Sequence, residues 1–280
     1  MNLDEQRQLR RCRFYSIGLL SIAFGIGFAG LLGWIFDSEL LKRIHPTLVT
    51  MKANTAVCLM LAAVSLFLIE AREPSLNKRR ISQLLAAIVA TVGLLTLSEH
   101  LLGWNSGLDQ LLFHETSREA GLSSPGRMGV AASLNFSLIG IALFFVHARS
   151  RRLFQLANIS MLFVLASTLL VFLYYFYGVE QQEPFALYFT IAIHSVIAFL
   201  CLAMAILLAR PERSAIAALL GSSPGAVVAR RMWPAFLILI LLGWVRTVTR
   251  DAAWPSFGFA TASFTLAVLI LLAGLIWWTA

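Results

Sequence analysis

Charge is scarce in this sequence. Asp, Glu, Lys and Arg make up 13% of its 280 residues, about half the roughly 25% of an average soluble chain. With 59% hydrophobic residues and a mean hydropathy of +0.80, that shortage excludes an ordinary water-soluble globule, which has nowhere to hide so much apolar surface. Cysteine is scarce too. Cys12, Cys58 and Cys201 are odd in number and lack CxxC spacing, which excludes a disulfide framework and a zinc site and leaves them as small apolar side chains. The enzymatic strings are missing as well: no phosphate-binding loop, no HExxH and no GxSxG elbow. Gly25-Ile-Gly27-Phe-Ala-Gly30 matches a dinucleotide fingerprint by letter. It lies inside an apolar run with no strand before it, so it carries no nucleotide meaning.

What is present is a succession of long apolar runs. An α-helix needs about 20 apolar residues to cross the hydrocarbon core. Eight runs qualify, at about 14–36, 50–70, 81–104, 127–147, 154–177, 186–209, 232–249 and 256–279. The first exceeds the roughly 7–15 residues of a signal-peptide core. Backbone polar groups in lipid must be satisfied within the segment, so these runs are helices. The fold class expected is all-α: one polytopic membrane domain over residues 1–280 with eight transmembrane helices.

The net charge of +8 would raise nucleic-acid binding in a soluble protein. Here the basic residues cluster between apolar runs, where they set topology. Arg7, Arg10, Arg11, Arg13, Arg72, Lys78, Arg79, Arg80, Arg149, Arg151, Arg152, Arg210, Arg213, Arg230 and Arg231 fall on one side. Lys42, Arg43, Lys52, Arg118, Arg127, Arg246 and Arg250 fall on the other. The richer side is the inner one by the positive-inside rule, so both termini are expected in the cytoplasm and no nucleic-acid partner is expected.

The chain also repeats itself. LLGW occurs at Leu31–Trp34, Leu101–Trp104 and Leu241–Trp244, each time closing an odd-numbered run on the outer side. Even-numbered runs open alike. Met51, Asn54, Thr55, Cys58 and Leu59 align with Met128, Ala131, Ala132, Asn135 and Phe136, and with Ile191, His194, Ser195, Ala198 and Phe199. The expected architecture is four helix-hairpin repeats. Leu108–Phe113 reads as a short interfacial helix in the long third loop, and the sixth loop, Pro211–Arg231, as a segment on the inner surface.

Polar groups at membrane depth are costly and mark function by default. His194 lies about nine residues into its run, roughly 13 Å deep, and Asn135 is about as deep in the fourth. Asn54 and Thr55 lie one turn into the second, Glu99 and His100 near the outer end of the third, Ser195 beside His194, and Arg246 at the end of the seventh. Together they form either an outward-facing ligand pocket or an interhelical hydrogen-bond network. No histidine pair has i, i+3 or i, i+4 spacing, so no metal and no cofactor is expected; a haem site would need a second ring at the depth of His194. Trp34, Trp104, Trp277 and Trp278 are expected interfacial anchors. Ser21, Gly25, Ala29 and Gly33 recur every four residues, a spacing that lets another helix approach, within the bundle or across a dimer.

Four strings point further. Met51–Cys58 (MKANTAVC), Gly107–Phe113 (GLDQLLF), Pro125–Met128 (PGRM) and Ala209-Arg-Pro-Glu-Arg213 resemble the N-terminal multi-span membrane sensor module of bacterial sensor histidine kinases, often placed ahead of PAS domains, and of some diguanylate cyclases. Ala131 stands where that pattern usually carries Asn, so no ligand role comes over to that position. The resemblance implies a sensory input domain in the bacterial inner membrane. It also implies a homodimer, and a cytoplasmic signalling output domain or partner kinase beyond the eighth span. The chain itself has no catalytic motif. Two alternatives stand beside it: a small-molecule transporter, for which Glu99 is the one intramembrane acid, and a haem- or quinone-binding membrane subunit.

Overall fold

The computed structural model describes residues 3–45, 48–70, 74–115, 124–146, 148, 150–177, 190–216, 224–251 and 264–268. Every regular element among them is helical: α1 (Leu3–Ile35), α2 (Glu39–Lys42), α3 (Ala53–Ile69), α4 (Leu76–Leu102), α5 (Val130–Phe145), α6 (Arg151–Phe176), α7 (Ile193–Ala209) and α8 (Pro224–Asp251). A single turn of 3-10 helix covers Leu108–Gln110, in place of the interfacial helix expected over Leu108–Phe113. Three helices are long and apolar enough to cross a membrane, Gln6–Ile35, Leu76–Leu102 and Arg151–Phe176. The apolar helices at Ala53–Ile69, Val130–Phe145 and Ile193–Ala209 are shorter, and α8 holds an apolar stretch at Phe236–Val245. The chain is therefore an all-helical membrane protein. Of the eighth apolar run only 264–268 is described, and it is helical.

The chain divides into two compact units. The first comprises Met1–Phe172 and Glu180–Ser214, the second Leu173–Val179 and Ala215–Ala280. In the first, α1 packs against α2, α3 and α7, while α4 packs against α3 and α5. The short helices α3, α5 and α7 also touch one another. They are buried nearly all round, whereas α4 and α6 each bury one stripe, Ala86, Val89, Gly93 and Thr96 on α4 and Ala157, Met161, Val164, Thr168 and Val171 on α6. The opposite faces of the long helices expose Phe28, Leu84, Leu94, Ile159, Phe163 and Leu170. In a bilayer that is the favourable arrangement, because lipid tails solvate apolar side chains as well as a protein core does.

The centre of this unit is built from positions that the sequence aligns. Leu59, Phe136 and Phe199 are fully buried, and the rings of Phe136 and Phe199 lie 4.8 Å apart. Leu66, Leu143 and Ile206 are buried further along the same three helices. Contact between helices is close where glycine permits it. A methyl group on Gly93 of α4 would lie 2.5 Å from Ser137 N of α5, and one on Gly140 of α5 would collide with Ala90 N of α4. On α1 the packed face carries Ala23, Gly27 and Gly30, with a Gly27 methyl only 2.8 Å from the Ala56 carbonyl oxygen. Ser21 and Gly25 lie on the exposed face of α1, with nothing within 4 Å of Gly25. Ala29 is half-buried and Gly33 meets Leu41.

In the second unit α8 begins at Pro224, taking in residues expected to belong to the sixth loop. Proline at a helix start lacks only an N–H that would be unbonded anyway. Tyr177 Oη donates to the Ile240 carbonyl at 3.3 Å and lies over Gly243, and the rings of Phe176 and Trp244 lie 6.4 Å apart. The three LLGW strings differ locally. Gly103 ends α4 in a left-handed conformation (φ 69°), Gly33 lies within α1 near its end, and Gly243 lies within α8, which runs on to Asp251.

Candidate functional site

At about 1.5 Å per residue, the short inner helices reach only about 24–26 Å, less than the roughly 30 Å of a hydrocarbon core. Each is preceded by extended backbone, with Lys52, Gly129 and Ala192 in β-type or related conformations as N-caps. Non-helical backbone at such depth is tolerated only where protein buries it, and here it is buried. Met51, Met128 and Ile191 are each at most 2% exposed. Their N–H and C=O groups find partners in the surrounding elements. Trp34 Nε1 donates to the Met51 carbonyl at 2.8 Å, Met51 N to the Lys42 carbonyl at 2.8 Å, and His100 Nε2 to the Met128 carbonyl at 2.9 Å.

The three N-termini converge on a small cavity of about 10 Å³, room for a single water molecule. Its lining falls into aligned triplets: Thr50, Arg127 and Thr190; Met51, Met128 and Ile191; Lys52, Gly129 and Ala192; Thr55, Ala132 and Ser195. Beside it lies a group of buried charges. Arg127 Nε donates to Asp109 Oδ2 at 2.7 Å and lies 3.5 Å from Glu99 Oε2. Lys52 Nζ lies 3.0 Å from each Glu115 oxygen. Glu99 Oε1 accepts from Ser106 N and Oγ at 2.6 and 2.5 Å, and Glu115 Oε2 from Gly126 N at 2.7 Å. Two side-chain cations thus meet three carboxylates. The excess negative charge is offset by the positive ends of three helices, each worth about half an elementary charge.

The strings that carry the family resemblance fold onto one another here. GLDQ supplies Gly107 (φ 78°), Asp109 and Gln110; PGRM supplies Gly126 (φ 75°) and Arg127. A side chain on Gly126 would meet the Asp109 carbonyl at 2.5 Å. Gln110 Nε2 donates to the Pro125 carbonyl at 2.8 Å, and Asn54 of MKAN donates to the Leu108 carbonyl at 3.2 Å. Burial pushes the Asp109 carboxyl above its ordinary value, and Arg127 pulls against it.

The residues singled out from the sequence distribute as follows. Asn54, Thr55, Glu99, His100 and Ser195 belong to this site. Ser195 is 1% exposed, and its hydroxyl lines the cavity without a hydrogen-bond partner. Neighbouring His194 buries both ring nitrogens without partners among the described residues. Asn135 is elsewhere: its amide donates to Thr168 Oγ1 at 3.3 Å and its carbonyl accepts from Ser167 Oγ at 2.8 Å, tying α5 to α6. Arg246 lies on α8 in the second unit, and its side chain is outside the described residues, as are Trp277 and Trp278. Trp34 holds the site's backbone, with Lys42 Nζ 4.8 Å from its ring and Phe113 beside it. Trp104 is half exposed and donates to Ser98 Oγ at 3.2 Å.

Reasoning from the sequence missed Lys52, Asp109, Glu115 and Arg127 as site residues. The sequence shows Lys52 and Arg127 as topology charges and as letters of the MKANTAVC and PGRM strings. A signal was available, because Lys52 lies just inside and Arg127 just before an aligned even-run opening, where a charge is drawn inward with the backbone. Among the described residues no group of three His, Cys, Asp or Glu side chains is arranged to hold a metal ion. Compared with known proteins, the chain matches no family model, no curated protein and no solved structure.

Proposed function

We propose that the chain is the membrane-embedded sensory input domain of a bacterial signal-transduction protein of the histidine-kinase type. In this reading eight spans form four hairpins in the inner membrane, both termini are cytoplasmic, and the last span leads to an output domain. A homodimer is expected by analogy with such kinases. The observation that carries the reading is the convergence of three strings, MKAN, GLDQ and PGRM, on one polar site above a closed apolar core. Leu59, Phe136 and Phe199 fill the space below it. A small ligand received beside Ser195 and the charge cluster, where this closed packing leaves room for one water molecule, would bias the packing of the three inner helices through its differential affinity for two states. It would have no route through. The same filled core weighs against a transporter.

The test is a chimaera joining this domain to a histidine-kinase output. Arg127→Gln and Ser195→Val are expected to shift basal autophosphorylation several-fold and to fix it against stimulus. Output that is the same with and without residues 1–209 would sink the proposal. One observation favours a second reading, a haem- or quinone-binding subunit: among the described residues both nitrogens of His194 lack partners. A visible absorption band lost in His194→Ala would establish that reading, and a colourless purified protein would remove its haem form.

A further inference from the structure

The opposite end of the first unit holds a larger cavity of about 350 Å³, lined by Ile69, Pro74, Leu76, Val146 and Phe154 with Arg79, Arg210 and Arg213. A second hollow of about 400 Å³ shares Phe154 and Arg213 and adds Arg151 and Gln155. Arg79, Arg210 and Arg213, from two separate stretches of chain, therefore border one space with an apolar wall, and Arg151 lines the hollow next to it.

Arg210 and Arg213 follow the C-terminus of α7, where the helix dipole favours a cation, but Arg79 and Arg151 are placed against it. Arg79 lies in the first turn of α4, whose N-cap Ser75 accepts from Lys78 N at 3.4 Å. Arg151 opens α6. The positive end of a helix repels cations and attracts anions. Carboxylates act on Arg210 but not on the other three. Among the described residues Arg79, Arg151 and Arg213 have no acidic partner within ion-pair distance. Glu70 accepts from Ser16 Oγ at 2.5 Å and lies 3.9 Å from Arg13, while Glu212 lies 3.9 Å from Arg210. The positive-inside rule accounts for basic residues at this end. It does not account for their meeting around a cavity.

We propose that this cavity binds a phosphate ester, supplied by the headgroup of an anionic phospholipid. Arg79 and Arg213 hold the phosphate, Arg210 borders it, and Phe154, Val146 and Leu76 pack against the glycerol and first acyl carbons. Arginine suits this role because its planar fork of donors matches phosphate oxygens. The apolar wall favours the lipid over free phosphate.

The experiment uses the full chain in nanodiscs of phosphatidylcholine doped with phosphatidylglycerol, reading retained lipid by native mass spectrometry. Phosphatidylglycerol is expected to be retained in preference. Arg79→Gln with Arg213→Gln should weaken that retention about 30-fold, roughly five-fold for each arginine. The control pair Arg10→Gln with Arg11→Gln, exposed at the same end of α1, should leave it unchanged. Equal weakening by both pairs, or by neither, overturns the proposal. Inorganic phosphate is the second probe. Displacement of the lipid by millimolar phosphate would assign the site to phosphate from either source, and resistance would assign it to the lipid. Should the glutamine pair fail to fold, photo-crosslinking of a diazirine phosphatidylglycerol to the wild-type chain replaces it. Labels on the 148–155 and 210–213 peptides support the site, and labels only elsewhere overturn it.

Discussion

At the scale of single residues the polar site is under tension. Arg127 is 2% exposed and faces Asp109 and Glu99, at 4% and 1%. Replacing it by Gln strands two buried carboxylates, which should cost about 3–5 kcal/mol and appear as a lower melting temperature in detergent. Adding Asp109→Asn should recover part of the loss, and strictly additive effects would mean that the two groups are not coupled. Asp109 also gives a pH dependence. Burial raises its folded value above the ordinary 3.8, so the folded chain holds that proton more tightly than the unfolded chain does. Stability from this group is full below 3.8 and is lost as pH rises through the folded value. The melting temperature of wild type relative to Asp109→Asn should therefore increase as pH is lowered from neutrality towards 3.8, and a flat difference would contradict the assignment. The sequence made Asn54, Glu99, His100 and Ser195 legible because polar groups stand out in apolar runs. Asp109 and Glu115 were not legible, since a loop carboxylate is ordinary until the loop is seen to fold inward.

At the scale of elements, close approach is what distinguishes the helices. Gly93→Leu and Gly140→Leu place side chains where backbone of the facing helix already lies, so each should cost about 1–3 kcal/mol. Gly25→Leu should cost little, because nothing stands within 4 Å. Comparing the three by thermal unfolding checks the crossing of α4 and α5 directly. If Gly25→Leu instead proves as costly as the other two, the exposed face of α1 is covered in the membrane. The apolar runs revealed where helices lie but not where they begin. Runs two, four and six read as full-length spans because Met51, Met128 and Ile191 are as apolar as the helices that follow and a single charge, Lys52 or Arg127, does not interrupt an apolar run. Met51, Met128 and Ile191 are buried as extended chain, and hydropathy does not distinguish an apolar strand from an apolar helix turn. The stripe Ser21, Gly25, Ala29 and Gly33 was chosen by spacing alone. Three other small residues, Ala23, Gly27 and Gly30, form the face that packs.

At the scale of the whole molecule, the alignment of the even-run openings is legible in the sequence because it depends on position along the chain, and it returns as the triplets that line the small cavity. The expected orientation can be tested with single cysteines on a background lacking Cys12, Cys58 and Cys201. Ser124→Cys should react with an impermeant maleimide in intact spheroplasts, and Ser150→Cys only after permeabilisation; the reverse pattern would invert the topology. The contrast between long outer and short inner helices has a consequence for how the first unit meets membranes of different thickness. Among the described large apolar side chains, α3, α5 and α7 expose only Phe67, Phe144 and Ile197, so lipid touches mainly α1, α4 and α6. Thickening or thinning the bilayer changes the fit of those rim helices, at a fraction of a kcal/mol per Å of mismatch, and scarcely touches the helices inside. Such a change would act as a shear between rim and core, and the elements that bridge the two at the end holding the polar site are the hydrogen bonds of Trp34 and His100 to the extended chain.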